Sequence, residues 1–246
     1  MTRDAFLGGR LAVSQPRIGF RAGLDSVLLG AAVAAGSRRL LDLGAGVGTA
    51  ALVALADRPD LSAMLCEADP ATAELARRNL VDNGFADRAE VLGLDVAAPG
   101  SVRAEAGLVA DAFTSVVANP PFFDSSSGTS PDRARAAARH MPLAALDTWL
   151  RAAATHAAPG GEVIVIHVAA ALPALLAAFD RRFGAITVLP LSPREGVAAS
   201  RILVRGIKGS RAPFTLLASR ALHVADGRAF QPQFDALFRG EGRLVW

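Results

Sequence analysis

The chain has 246 residues, 52% of them hydrophobic and 20% charged, with a formal net charge of +3. This excludes disorder as the main state, suffices to bury most of the unfolded surface in one core, and leaves room for one large domain or two small ones. A single cysteine, Cys66, excludes an internal disulfide framework and any structural zinc site built on several cysteines.

The amino terminus, Met1-Thr-Arg-Asp and a mixed segment after it, lacks the apolar core of a secretory signal, so the chain is read as soluble and cytoplasmic. Residues 1–37 read as an amino-terminal extension that carries Gln15-Pro16 and ends in an apolar helix over 24–35. Residues 40–43 are a short strand ending in glycines, and 47–56 a helix of small residues. A second strand over 62–66 is followed by a helix over 70–81, with proline in its first turn. Strands over 89–92 and 113–118 come next. A helix over 143–157 is stopped by Pro159-Gly160-Gly161, and 162–168 is a β-branched strand. The most apolar run, 163–179, is broken by His167 and Pro173 and is too short to span a bilayer. Residues 170–182 are helical, and 186–189 and 202–204 are strands. Strands separated by helix-length segments predict an α/β fold, with a mostly parallel, Rossmann-like sheet covered by helices on both faces. Ligands of such sheets bind at the carboxyl ends of the strands, so motifs belong just after each strand.

Residues 1–119 carry 11 basic and 14 acidic side chains, a balance of −3, and residues 120–246 carry 15 and 9, a balance of +6. Lys208 is the single lysine, a bias that fits GC-rich codon usage and weakens the arginine count as a sign of nucleic acid. The asymmetry suits a cofactor on one side and a polyanion on the other; a scattered, solvated surface is the competing reading.

The first strand ends in Asp42-Leu-Gly44-Ala-Gly46-Val-Gly48-Thr49. Glycines let the backbone turn sharply and approach a ligand with no Cβ in the way. A dinucleotide fingerprint needs its third glycine at position 49, which is Thr, and the phosphate loop of the NTPases needs a Lys and Ser or Thr after its last glycine. The acid-x-Gly-x-Gly-x-Gly spacing resembles class I S-adenosylmethionine-dependent methyltransferases, which implies that Asp42 and the backbone at Gly44, Gly46 and Gly48 hold the amino-acid end of that cofactor. Glu67 closes the second strand about 20 residues beyond the glycines, where an acid accepts hydrogen bonds from ribose hydroxyls. Asp69 precedes Pro70 and suits a helix cap. Asp95 follows the third strand, where the same resemblance implies an acid that meets the adenine amine.

The fourth strand runs into Asn119-Pro120-Pro121-Phe122. Two prolines there end the strand and stiffen the backbone, which serves to aim a carbonyl. The tetrapeptide resembles that of methyltransferases acting on a planar amino or amide nitrogen. Such a nitrogen is a poor nucleophile because its lone pair is delocalised. The Asn119 side-chain oxygen and the Pro120 carbonyl supply two acceptors for its N–H groups, which turn the lone pair toward the methyl group and stabilise developing positive charge. Phe122 is placed to stack on an extruded base. Arg133, Arg135 and Arg139 alternate with alanines beyond the tetrapeptide and suit phosphate contacts; a solvated helix face is the alternative. His140, His156, His167 and His223 lie too far apart for a metal signature, so no metal is expected.

With both motifs in place, the chain resembles the bacterial tRNA1(Val) adenine-37 methyltransferases. The resemblance extends to Gln15 and to Gly19-Phe20-Arg21-x-Gly-Leu-Asp25 near the amino terminus, to Arg139-His140, and to Arg201-Ile-Leu-Val-Arg205 and Leu222-His223-x-x-Asp226-Gly227 near the carboxyl terminus. It implies a class I methyltransferase domain over 1–246 with a seven-stranded sheet whose last strand is antiparallel. It also implies S-adenosylmethionine as methyl donor, tRNA as partner and an anticodon-loop adenine as acceptor. Methylation of a guanine amine in ribosomal RNA or of a protein glutamine uses the same tetrapeptide shape and stays open, as does a cofactor-binding protein without catalysis.

Overall fold

A computed structural model describes residues 1–17, 21–121 and 143–246. In chain order its elements are β1 (Thr2–Phe6), β2 (Leu11–Gln15), α1 (Leu24–Ala32), β3 (Arg39–Leu43), α2 (Thr49–Ala56), β4 (Ser62–Glu67), α3 (Pro70–Asp82), β5 (Ala89–Gly93), α4 (Gly100–Glu105), β6 (Phe113–Ala118), α5 (Leu143–His156), β7 (Ala157–Val168), α6 (Leu172–Asp180), β8 (Phe183–Ser192), β9 (Arg201–Lys208), β10 (Thr215–Leu216), β11 (Arg220–Ala221) and α7 (Pro232–Phe238).

The main sheet has the order β8-β9-β7-β6-β3-β4-β5, with β9 antiparallel to both neighbours and the other strands of that path parallel to one another. These are the seven strands that the resemblance implies. The two-residue strands β10 and β11 add to the outer edge of β8, giving nine strands in this sheet among the described residues. They are too short to leave a pattern in the sequence, and they cover an edge that would otherwise present unpaired backbone groups.

The strands are apolar on both sides because both faces are covered. On β7, Ile164 and Ile166 join the cluster under α1, α2 and α3, while Val163 and Val165 join the one under α5 and α6. Leu40 and Leu41 on β3 divide the same way. Cys66 is fully buried in the second cluster, and burial pushes its thiol up to about 12, so it is an inert apolar residue.

Several boundaries differ from expectation for local reasons. The loop after β3 runs two residues further than expected, because Gly48 has a φ of 86° and α2 starts only at Thr49. Strand β7 starts at Ala157 and passes through Pro159-Gly160-Gly161, where the register against β6 shifts between Phe113 and Ser115. Helix α1 stops at Ala32, and α6 is preceded by a 3-10 turn at Ala169–Ala171. Helix α3 is capped as expected: Asp69 accepts from the Thr72 amide at 2.8 Å. It ends at Gly84, φ 74°, where the amides of Gly84 and Phe85 return to the Val81 and Leu80 carbonyls.

The amino-terminal stretch holds an element that the sequence reading left unassigned, the antiparallel hairpin β1–β2. Two asparagines on the last turn of α3 and just beyond it bind the edge of β2 as a neighbouring strand would. Asn83 pairs with the Ala12 amide and carbonyl and Asn79 with those of Ser14, all at 2.8–3.0 Å. Asn79 also donates to the Val47 carbonyl at 3.0 Å.

Helices α1 and α2 cross at Gly30, where a Cβ would lie 2.3 Å from the Ala50 carbonyl oxygen and 2.8 Å from Val53 Cβ. Gly30→Ala is expected to destabilise the fold by about 1–3 kcal/mol through overpacking. Urea unfolding checks this, and a midpoint equal to the parent's would show that the crossing has slack.

Candidate active site

The parallel strands end along one edge. Leu43 of β3 is level with Cys66 of β4 and Ala118 of β6, and Glu67 is level with Gly93 of β5. Strand order reverses between β3 and β6, so the crevice for a ligand opens where the glycine loop leaves β3 and Asn119 leaves β6.

In the loop, Gly44, Gly46 and Gly48 have φ of 65°, 57° and 86°, a region that side chains disfavour. Each has a different surrounding. A Cβ on Gly44 would lie 2.3 Å from the Trp149 ring, and one on Gly48 would meet Leu65 at 2.9 Å. At Gly46 a Cβ would meet no heavy atom within 4 Å, so this backbone faces open space. Gly44 and Gly48 are therefore required by packing, and Gly46 leaves room for a ligand. Trp149, on α5, had no role in the sequence reading; a helical tryptophan reads as core until its neighbour is known.

Glu67 braces the loop. Its carboxylate accepts from the Gly46 amide at 2.8 Å with one oxygen and from the Asp69 amide at 2.9 Å with the other. A carboxylate has about four lone-pair sites, so two remain for the hydroxyls of a ribose. Asp69 is committed to capping α3, which leaves Glu67 as the acid at the end of β4. Asp95 is exposed at the rim beyond β5 and accepts from the Ala97 amide at 2.8 Å.

Asp42 is placed differently from an acid that touches a ligand. It is 2% exposed and accepts from the Ala51 amide of α2 at 3.2 Å, beneath the loop. Burial pushes its carboxyl up to about 7, the Ala51 hydrogen bond opposes that shift, and the nearby Glu67 charge adds to it. In this arrangement Asp42 joins the loop to the first turn of α2.

On the acceptor side, Asn119 is half-buried and Pro120 buried, and Pro121 is exposed. The Asn119 Oδ1 atom is buried with no hydrogen-bond partner among the described residues. An unpartnered buried acceptor is costly, so its presence suits a ligand that brings a donor. Asn119 lines a cavity of about 310 Å³ together with Gly23, Asp25, Ser200, Arg201 and Leu222. Phe122, Arg133, Arg135 and Arg139 lie outside the described residues. Among the described residues no three His, Cys, Asp or Glu side chains are grouped to hold a metal, and no helix is long and apolar enough to cross a membrane. His167 is 1% exposed at the end of β7, and burial pushes it down to about 4, so it is neutral at pH 7.

The state of Asp42 makes a stability prediction. Between pH 4 and 7 an unfolded chain has this carboxyl ionised while the folded chain keeps it protonated, so stability falls as pH rises through this window. The penalty is fully present above about pH 7. Asp42→Asn keeps an acceptor for Ala51 and removes the ionisation. It is expected to raise Tm relative to the parent at pH 8, with the difference shrinking toward pH 4.5. Equal differences at both pH values would contradict a raised carboxyl.

Comparison with known proteins is consistent with this geometry. The methyltransferase small domain family matches residues 24–190. The tRNA1(Val) (adenine(37)-N6)-methyltransferase of Porphyromonas gingivalis is 34% identical over 171 residues, 68% of this chain and 66% of its own length. The chain thus spans just under two thirds of that relative. The enzyme of the same name from Actinobacillus succinogenes is 30% identical over 211 residues, 83% of this chain and 84% of its own. A crystal structure from Agrobacterium tumefaciens, described as a predicted O-methyltransferase, superimposes with a TM-score of 0.76 at 32% identity, covering 90% of this chain and 98% of that one. A sheet of this order, a glycine loop at its switch point and these matches agree: the chain belongs to the methyltransferase small domain family, among the tRNA1(Val) (adenine(37)-N6)-methyltransferases.

Proposed function

We infer that the chain is an S-adenosylmethionine-dependent methyltransferase that methylates the exocyclic amine of an adenine in tRNA, of the anticodon-loop position 37 type. The observation that carries this reading is Asn119 Oδ1, buried with no hydrogen-bond partner among the described residues, on a side chain that leaves β6 at the switch point opposite the glycine loop and lines a cavity. The residues fit the cofactor: the open backbone at Gly46 suits its amino-acid end, Glu67 its ribose and Asp95 its adenine. When bound, S-adenosylmethionine supplies an electrophilic methyl group on a sulfonium.

The chain's own residues supply orientation. Asn119 Oδ1 and the Pro120 carbonyl accept the two N–H bonds of the amine, which turns the nitrogen lone pair out toward the methyl group. As the nitrogen gains positive charge its N–H groups become stronger donors, so both contacts strengthen in the transition state. Pro120 and Pro121 stiffen the backbone that carries that carbonyl. Phe122 stacks on the base, and Arg133, Arg135 and Arg139 meet phosphates, in a cytoplasmic enzyme that needs no metal. A carboxamide is an acceptor and not a base for a hydroxyl proton, which favours an amine over the oxygen chemistry named for the Agrobacterium protein. The name shared by the relatives favours adenine over guanine or glutamine.

The test is methyl transfer to bulk tRNA followed by nucleoside analysis. Asn119→Ala is expected to lower turnover at saturating tRNA by about 10²–10³, the usual loss for one preorganised charge-stabilising contact. Its affinity for S-adenosylhomocysteine should match the parent's. Parent-like turnover would overturn the mechanism. A methylguanine product would keep the mechanism and change the substrate.

A further inference from the structure

Two segments that lie far apart in the chain, and far from both methyltransferase motifs, form the wall of the cavity beside Asn119. One is the first turn of α1 with the residues before it, and the other is the start of β9. They are joined by an ion pair: Arg201 Nε donates to Asp25 Oδ2 at 2.8 Å, across 176 positions of sequence. The two side chains are 32% and 19% exposed.

Each partner is fixed independently. Because β9 runs antiparallel, its first residue lies at the edge where the parallel strands end, with Arg201 in register with Val168 of β7 and Leu191 of β8. Arg201 also donates to the Ser200 carbonyl at 3.1 Å. On the other side, Gln15 is 1% exposed and holds the approach to α1. Its Oε1 accepts from the Ala22 amide at 2.7 Å, and its Nε2 donates to Asp4 at 2.7 Å. Arg21 binds the same Asp4 carboxylate at 2.5 Å. Asp25 then sits in the first turn of α1, where a negative charge is favoured.

A half-buried ion pair is a poor device for stability alone, since desolvation offsets much of its attraction. The rest of α1 packs through Val27, Leu28 and Leu29, which are buried and apolar. The polar pair occurs where the helix meets the cavity.

We propose that Asp25 and Arg201 are a positioning pair, which locks α1 to β9 and so holds the wall of the acceptor cavity in register with Asn119. This rests on the reading of that cavity as the site of a nucleobase amine. Misplacement of an acceptor by about 1 Å costs on the order of 10²-fold in rate, so the pair acts on turnover through geometry.

The experiment is a double-mutant cycle with Asp25→Asn, Arg201→Gln and the double variant, reading kcat and KM for tRNA together with affinity for S-adenosylhomocysteine. Each single variant is expected to lose about 10- to 100-fold in kcat, with cofactor-product affinity within about twofold of the parent's. The double variant should be no worse than the weaker single, because either change breaks the same contact. Arg201→Lys, which keeps a cation within reach of Asp25, should recover most of the turnover and covers the case in which Arg201→Gln does not fold. Parent-like kcat in both single variants overturns the proposal. Losses that multiply in the double variant also overturn it, since they would mean that Arg201 meets RNA directly. So does a parallel loss of S-adenosylhomocysteine affinity, which marks a general structural defect. Nucleoside analysis of the same reactions separates the two readings. A parent that methylates no nucleobase amine overturns the functional reading and the pair's role with it. A parent that methylates one beside parent-like variants overturns the pair alone.

Discussion

Between Leu43 and Thr49 three of the five backbone residues are left-handed, and the site depends on that path. A straighter exit from β3 would carry the chain across the carboxyl edge of the sheet and fill the crevice at the switch point. The bent path instead drops α2 onto one face and leaves Gly46 over open space. Side chains from three other elements help to hold it. Trp149 packs against Gly44, Glu67 takes the Gly46 amide, and Asp42 takes the Ala51 amide at the start of α2. Two of these are carboxylates, and they lie close enough for Glu67 to raise the proton affinity of Asp42.

The acceptor side is built on a different principle. No described residue there is strained in φ; the position of Asn119 follows from the end of β6 and the stiffness of the two prolines after it. Its Oδ1 atom has no partner among the described residues, at a cost that an unliganded protein gains nothing from. One half of the site therefore depends on backbone freedom and the other on backbone rigidity.

How much of this was legible in the sequence follows from the range of the forces involved. The central strands are covered on both faces, so their apolar runs are continuous and the pattern is local. The glycine spacing and the Asn119-Pro-Pro run are local too, and the positions of Glu67 and Asp95 follow once the strands are placed. Contacts between distant segments left no such trace. Asp25 and Arg201 are each ordinary charged residues until the fold brings them together, although both fell inside segments that resemble the family. Trp149 was hidden because a helical tryptophan reads as core. Asp42 shows the opposite limit. The spacing identified the residue, but only its burial and its bond to Ala51 show that the carboxylate is turned under the loop. The hairpin β1–β2 was missed because two five-residue strands of mixed polarity resemble loop sequence, and because part of its stability lies in two asparagines more than sixty residues away.

Asn79 belongs to that hairpin and to the glycine loop at once. Its carboxamide holds the Ser14 amide and carbonyl on one side and the Val47 carbonyl on the other, and it is fully buried. Opening of the hairpin strips two of these three bonds and leaves the third on a side chain newly exposed to water. Asn79 thus couples the glycine loop to the amino-terminal hairpin, so that opening of the hairpin would loosen the loop at Val47 while the Gly46 amide stays tied to Glu67 of β4.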